Sequence, residues 1–338
     1  MKIKEIEQNK RAHMVLLVRG IEERAAKNGP YWRFTLSDTE QTVITANAFS
    51  TSIDPFKNLD GKLVDVMITK GSYNGSDSYT LESQHIKEAA AEDADISDYV
   101  AKAPEDPDEM YQEIMEKLSA NDPATRVVKS MYAAYKKRIM TWGAAKMMHH
   151  NYLHGLLYHT IRIMRAADTL VLVYPEVNRD LVIAGAAAHD IGKIIELSTN
   201  AAGVSEYTIS GELEGHIAIG LELLVMTAVN LDQKGKGQEG YVPIINSEEF
   251  KLLKHMLLSH HGKAEWGAIK TPMTPEAVML HFLDDMDSKL EAMNTALSQT
   301  EPGTLTEKVF SFGTRLYKST LAPVEDPEEE VASEKSDN

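Results

Sequence analysis

AGAAAHDIGK, residues 184–193, decides the reading of this chain. Five small residues suit a helix packed closely on all sides. His189 and Asp190 follow side by side at its end, then Gly192, which reads as turn-permitting, and Lys193. An imidazole and a carboxylate carried into an interior need partners. Adjacent His and Asp let one short stretch of backbone serve a hard cation, because the His supplies a nitrogen and the two Asp oxygens can bridge two ions. On its own a His-Asp dipeptide says little, since surface pairs of this kind are common. Its position after AGAAA gives it weight.

The partners can be counted. The chain has 12 His, and ten fall between residues 149 and 281. His159 stands in NYLHGLLYHT (151–160), His216 in EGHIAIG (214–220), and His260 and His261 in LLSHHG (257–262). Asp284 and Asp287 stand in LHFLDDMDSK (280–289). Each lies in or beside an apolar run with helical spacing. Any one of these histidines alone is an ordinary core or surface residue; the set, ordered around one His-Asp pair, is not.

The order His159, His189-Asp190, His216, His260-His261, Asp284 resembles the HD-domain metal-dependent phosphohydrolases. A His, the His-Asp pair and a closing Asp are that superfamily's minimal one-metal set, and the extra His216, His260 and His261 resemble the ligands of its two-metal members. Imidazole and carboxylate with open positions suit manganese or iron, with magnesium possible and structural zinc disfavoured.

Composition sets outer limits. A chain of 338 residues can bury a sizeable core and accommodate two domains. Zero Cys excludes disulfides, thiolate metal sites and Cys nucleophiles. MKIKEIEQNK at the start has no apolar stretch of a secretory signal, and no run approaches the roughly 20 apolar residues of a membrane span. A cytoplasmic protein without membrane association is expected. The net charge of −16 is unevenly spread: residues 1–88 are neutral, 89–124 carry −9, 125–170 carry +7, 171–322 carry −8 and the tail 323–338 carries −6. The acidity therefore sits mostly outside the segment that leads into the first His motif, and bound divalent ions would offset carboxylates in the ligand half.

The expected fold is multidomain α and β. Residues 1–88 read as five strands with turns: AHMVLLVRGIEE (12–23), YWRFTLSD after Asn28-Gly29-Pro30, QTVITANAF (41–49), LVDVMITKGSY (63–73), then an Asn74-Gly75 hairpin and SYTLESQHI (78–86). Five strands in so short a stretch point to a small closed barrel of OB type. Residues 89–107, rich in Ala, acid and Pro, read as a linker, residues 108–321 as an almost wholly helical domain, and 322–338 as a disordered acidic tail. In Tyr31-Trp32-Arg33-Phe34-Thr35-Leu36, alternation sends Trp32, Phe34 and Leu36 to the core and Tyr31 and Arg33 outward. An outward Tyr and Arg, with Tyr73 beside the hairpin, suit base stacking and phosphate contact. RVVKSMYAAYKKRIM (126–140) adds Arg126, Lys129, Lys136 and Lys137, clustered cations that could follow a phosphate backbone. A solvated helix face, or pairing with the acidic helix before it, is the plainer alternative.

Barrel, acidic linker and HD domain in this order resemble the YhaM family of bacterial 3′→5′ exoribonucleases. The motifs that carry the resemblance are HHNYLHGLLYHT (149–160), YPEVNRDLVIAGAAAHDIGK (174–193), EGHIAIG, LSHHG and LHFLDDMD. The chain departs where that family usually reads Gly-Gly-Leu-Leu-Glu-His: His154 and Tyr158 stand at the first Gly and the Glu. It also lacks the usual Thr-Gly turn after Ser37-Asp38. The resemblance implies phosphodiester hydrolysis of single-stranded RNA, or also DNA, with about two ions per chain. It implies His159, His189, Asp190 and Asp284 as ligands of one metal, and His216, His260 and His261, with Asp190 bridging, as ligands of the other. Asp190 and Lys193 would be the catalytic residues, and His149, His150 and Arg162 would contact substrate. Two other classes stay open: an HD-type nucleotide or cyclic-nucleotide phosphohydrolase whose barrel is a regulatory or assembly module, and a binding protein with a vestigial metal site. A homo-oligomer is compatible with each.

Overall fold

The computed structural model describes residues 2–26, 29–50, 56–73, 75–90, 92, 94–141, 152–199, 205–298 and 300–321. His149, His150 and the acidic tail lie outside them. The chain forms two units, residues 1–285 and 286–338.

The first unit begins with strands β1 (Arg11–Ala26), β2 (Gly29–Ser37), β3 (Val43–Ala48), β4 (Leu63–Tyr73) and β5 (Ser76–Leu81), with a short β6 (Lys87–Glu88) on β4. They run β1-β2-β3-β5-β4, and β1 also pairs with β4, which closes a five-stranded barrel. The β3–β5 pairing is parallel. One long strand can serve two neighbours because β1 pairs with β4 through Arg11–Leu17 and with β2 through Leu17–Ala26, with a register shift between Val18 and Gly20. The fifth strand is shorter than the sequence pattern indicates: β5 ends at Leu81, and Ser83–His85 form a 3-10 turn.

The alternation in β2 holds. Trp32, Phe34 and Leu36 are buried with Leu16, Val18, Ala46, Val66 and Ile68, and Phe34 meets Phe56 edge to face at 5.3 Å. The turn after Ser37 lacks glycine and is built otherwise. Asp38 is buried and accepts from the amides of Ile3, Glu40 and Thr42 at 2.7, 3.0 and 3.0 Å. That carboxylate supports Gln41 in the left-handed region, at φ 60°.

The acidic stretch after the barrel is a packed strap rather than a bare connector. Ile96–Asp98 form a 3-10 turn, and Tyr99 and Val100 are buried against Leu17 and Leu63 of the barrel. The Ala103 amide donates to Leu153 O, and the Leu153 amide to Ala101 O, at 2.9 and 3.0 Å. Ala103 itself is part of the helical core.

Helices follow: α1 (Pro107–Lys117), α2 (Pro123–Thr141), α3 (Gly155–Leu170), α4 (Arg179–Ala188), α5 (Lys193–Glu196), α6 (Ile209–Gly235), α7 (Glu248–Ser259) and α8 (Pro275–Ser298). Their starts follow capping chemistry. Asp106 accepts from the amides of Asp108 and Glu109, Asn178 from Leu181, and Ser247 from Phe250. Helix α4 is buried from Leu181 to Ala188, which explains its Ala and Gly content. A Cβ on Gly185 would lie 2.2 Å from Met256 Cε. Arg165 of α3 joins Glu105 of the strap and Glu113 of α1 at 2.6–3.1 Å. A two-stranded hairpin, β7 (Leu197–Thr199) with β8 (Ser205–Tyr207), interrupts the helices. Among the described residues no helix is long and apolar enough to cross a membrane.

The second unit holds the rest of α8 and then an extended segment, where helix was expected. Leu305 bridges to Tyr317 and Val309 to Thr314, around a turn with Gly313 at φ 65°. Pro302 and this glycine are the residues that stop a helix.

The turn-rich stretch 231–243 folds around one carboxylate. Asp232 accepts from Tyr241 Oη and the Ile244 and Ile245 amides at 2.8, 2.7 and 3.0 Å. Burial raises the Asp232 pKa, but those hydrogen bonds outweigh it and hold the carboxyl below its ordinary value. A depressed folded pKa adds stability above the unfolded value, about 3.9, and this is lost as pH falls through the folded value. Asp232→Ala, which leaves two amides unpaired, is therefore expected to lower stability by about 1–2 kcal/mol at pH 7. Urea unfolding should show the gap to the unsubstituted protein narrowing as pH is taken below the ordinary carboxylate range.

Candidate metal centre

The centre assembles from five helical elements of the first unit. His159 comes from α3, His189 and Asp190 from the end of α4, His216 from α6, His260 and His261 from the end of α7, and Asp284 from α8. His159, His189, Asp190 and His260 are each at most 3 % exposed.

The two oxygens of Asp190 face two different sets of nitrogens. Around Oδ2 stand His159 Nε2 at 3.6 Å and His189 Nε2 at 3.4 Å. Those two nitrogens lie 3.2 Å apart, and Asp284 Oδ1 lies 3.3 Å from His159 Nε2. Around Oδ1 stand His216 Nε2 at 3.5 Å and His260 Nε2 at 3.9 Å. His261 completes the second set, its ring centroid 4.3 Å from that of His260 and 5.1 Å from that of His216. Ligand atoms of His159, His189 and Asp190 converge within 4.8 Å, as do those of His216, His260 and His261.

The donor chemistry fits a metal. His189 Nδ1 and His260 Nδ1 donate to backbone carbonyls of Ala186 and Leu257, both at 2.8 Å. This leaves each Nε2 lone pair directed inward. His216 Nε2, His260 Nε2 and His261 Nδ1 are buried without a hydrogen-bond partner, an arrangement that costs free energy unless a cation fills it. Burial holds His260 well below its ordinary pKa, with His189 acting in the same direction, and burial also lowers His261. Both are thereby kept neutral, the form that ligates. Burial pushes Asp190 up, but Lys193 and His189 outweigh it and keep the carboxylate ionised.

Lys193 sits directly on Asp190, Nζ to Oδ2 at 2.7 Å. Burial lowers its pKa, but Asp190 more than offsets this and leaves it raised. Arg162 stacks over the Tyr158 ring at 5.2 Å, one helical turn from His159 on α3. Tyr158, one of the departures from the YhaM pattern, is thus packed beneath a cation. The other departure, His154, stands at φ 66° at the start of α3. Glycine occupies such a conformation without strain. Here the His154 Nδ1–H donates to Met140 O.

Gly192 acts otherwise than expected. Its backbone is right-handed helical, φ −61°, so no turn needs it. It is a contact point: a Cβ there would lie 2.0 Å from His216 O and 2.7 Å from the Gly220 amide nitrogen. The glycine lets α6 approach closely enough to present His216.

The basic helix is largely engaged within the molecule. Arg126 donates to Val242 O at 3.3 Å and stacks on Tyr241 at 4.9 Å. Lys129 caps the end of α1 through Leu118 O at 3.3 Å. Lys136 lies over Tyr111 at 4.5 Å and 3.8 Å from Asp108, while Lys137 is exposed. On the barrel, Arg33 Nη2 donates to Tyr31 Oη at 3.4 Å, and the Tyr31 ring lies 5.7 Å from Phe49, which is 63 % exposed. Phe49 was missed by the sequence reading; its position at the end of β3 on the Tyr31 side was the available signal. Tyr73 is exposed beside the β4–β5 hairpin.

A helical domain that gathers His, His-Asp, His, His-His and Asp at one centre is an HD domain, the class of divalent-metal-dependent phosphohydrolases. The family model described as HD domain matches residues 156–289, a span that contains every candidate ligand named above. Similarity extends well beyond that domain. The chain is 32% identical over 323 residues to 3′-5′ exoribonuclease YhaM of Geobacillus sp. (strain WCH70), covering 94% of this chain and 95% of the relative. It belongs to the YhaM family.

Proposed function

We propose that this protein is a metal-dependent 3′→5′ exonuclease that hydrolyses phosphodiester bonds of single-stranded RNA, and of DNA as a second substrate. The division of His159, His189 and Asp284 from His216, His260 and His261 about the two oxygens of Asp190 carries the reading. Similarity along the barrel as well as the HD domain supports a polymer substrate over a free nucleotide. The site would take two ions per chain, manganese or iron before magnesium, since imidazole predominates. When bound, the ions would supply a water of lowered pKa and polarise the phosphate oxygens. Lys193 holds a positive charge beside Asp190, where it can meet the developing charge of the phosphate. Arg162, stacked on Tyr158, offers a second cation to the strand. A cytoplasmic site of action and a homo-oligomeric state belong to the same proposal.

The test is incubation with 5′- and 3′-labelled RNA and DNA, with and without manganese. Metal-dependent shortening from the 3′ end is expected. Absence of any shortening would overturn the reading.

Tyr31, Phe49, Arg33 and Tyr73 are proposed as the barrel's grip. Alanine at both Tyr31 and Phe49 should weaken binding of long single-stranded RNA at least about tenfold, since one stacked base is worth roughly 1–3 kcal/mol. Hydrolysis of a chromogenic phosphodiester, too short to reach the barrel, should stay unchanged. Equal loss on both substrates would make the barrel a structural part. Deleting the barrel is a poorer test, because a chain starting at Asp108 would also lose Ala103 from the helical core and Glu105 from Arg165.

A further inference from the structure

Outside the seven candidate ligands, a further buried carboxylate touches the centre. Glu196, at the end of α5, is 7 % exposed. Its Oε1 accepts from both the backbone amide and Nδ1 of His216, at 2.9 and 3.1 Å. The surroundings are shaped to keep it there. The Thr208 amide donates to Glu196 O at 2.9 Å. Gly211 packs on the same carbonyl so closely that a Cβ would lie 2.2 Å away. Gly215, at φ 72° and ψ 158°, breaks α6 immediately before His216. The break frees the His216 amide from the helical ladder, and Glu196 satisfies it as a cap would.

We infer that Glu196 is a positioning residue for the second metal: it fixes His216 with its proton on Nδ1, so that Nε2 is presented as a ligand beside Asp190 Oδ1. This rests on the two-ion reading above. His189 and His260 achieve the same orientation through carbonyls of their own helices. His216 has no such carbonyl, because it follows the Gly215 break by one residue, and a carboxylate from another element takes that role. A carboxylate also makes the imidazole a stronger base, hence a better ligand, than a carbonyl does.

The experiment titrates the metal-free full-length protein with manganese by calorimetry and follows thermal unfolding in parallel. Glu196→Ala is expected to weaken one of the two sites about 10- to 100-fold and leave the other unchanged. Glu196→Gln keeps an acceptor oxygen and should recover most of the affinity. In a His216→Ala background, which removes the ligand, Glu196→Ala should change manganese affinity no further. Weakening of both sites equally, an equal further loss in the His216→Ala background, or a lowered melting temperature with both sites intact would each reduce Glu196 to a helix cap and overturn the inference. Manganese binding reads this independently of RNA hydrolysis. Two intact sites without nuclease activity would count against the exonuclease proposal alone, and a single manganese site in the unsubstituted protein would overturn both the two-ion reading and this inference.

Discussion

Asp190→Asn is expected to lower RNA hydrolysis by more than about a thousandfold, equivalent to roughly 4 kcal/mol of transition-state stabilisation, and to deplete metal from both sets of ligands. Asp190 is the carboxylate whose two oxygens face both sets, so its replacement cannot be confined to one ion. Asn is preferred to Ala because of Lys193. With Ala, the largely buried ammonium 2.7 Å away would lose its direct ion-pair partner, a loss that destabilises in its own right. Asn retains an acceptor oxygen for it. Metal content and turnover measured on one sample decide the matter: near-normal turnover in the metal-depleted variant would remove the metal from the reaction.

Gly192→Ala should be nearly as damaging by a different route. The added methyl would meet His216 O at 2.0 Å and the Gly220 amide nitrogen at 2.7 Å. These are backbone atoms, which cannot swing aside as a side-chain end would. Either α5 and α6 separate or the region fails to pack, and a cost of at least about 3 kcal/mol is expected. Separation would withdraw His216 from Asp190. Chemical denaturation should therefore show a large loss of stability, and manganese titration a loss of the His216 site. A fully stable variant with both sites intact would contradict the close approach. The comparison with Gly215 is instructive. That glycine has nothing within 4 Å of its missing Cβ but stands at φ 72°, so its constraint is conformational where that of Gly192 is steric.

Several of these features can be read directly along the chain. Alternation in β2 placed Trp32, Phe34 and Leu36 inside, because a pleated strand can send its residues only two ways. The AGAAA run marked a helix surrounded on all sides, since small side chains let neighbouring elements pack against every face. The identities and order of the seven candidate ligands were legible, because few residue types bind hard cations and each sits in or beside a recognisable apolar helix.

How those parts act on one another is set by contacts between elements distant along the chain. Whether Arg126, Lys129 and Lys136 are free for a ligand depends on Val242, Leu118 and Asp108, which approach from separate elements. The same holds for Phe49 beside Tyr31. Glu196 carries no motif, and its place in the centre arises from a helix break 19 residues away. Gly192 looked like a turn residue because local sequence reports backbone freedom; its real constraint is the distance to another chain segment. Local periodicity reflects the geometry of one element at a time. The division of the candidate ligands between the two oxygens of Asp190 depends on where five helices cross, which packing of their buried faces fixes and no single stretch of sequence encodes.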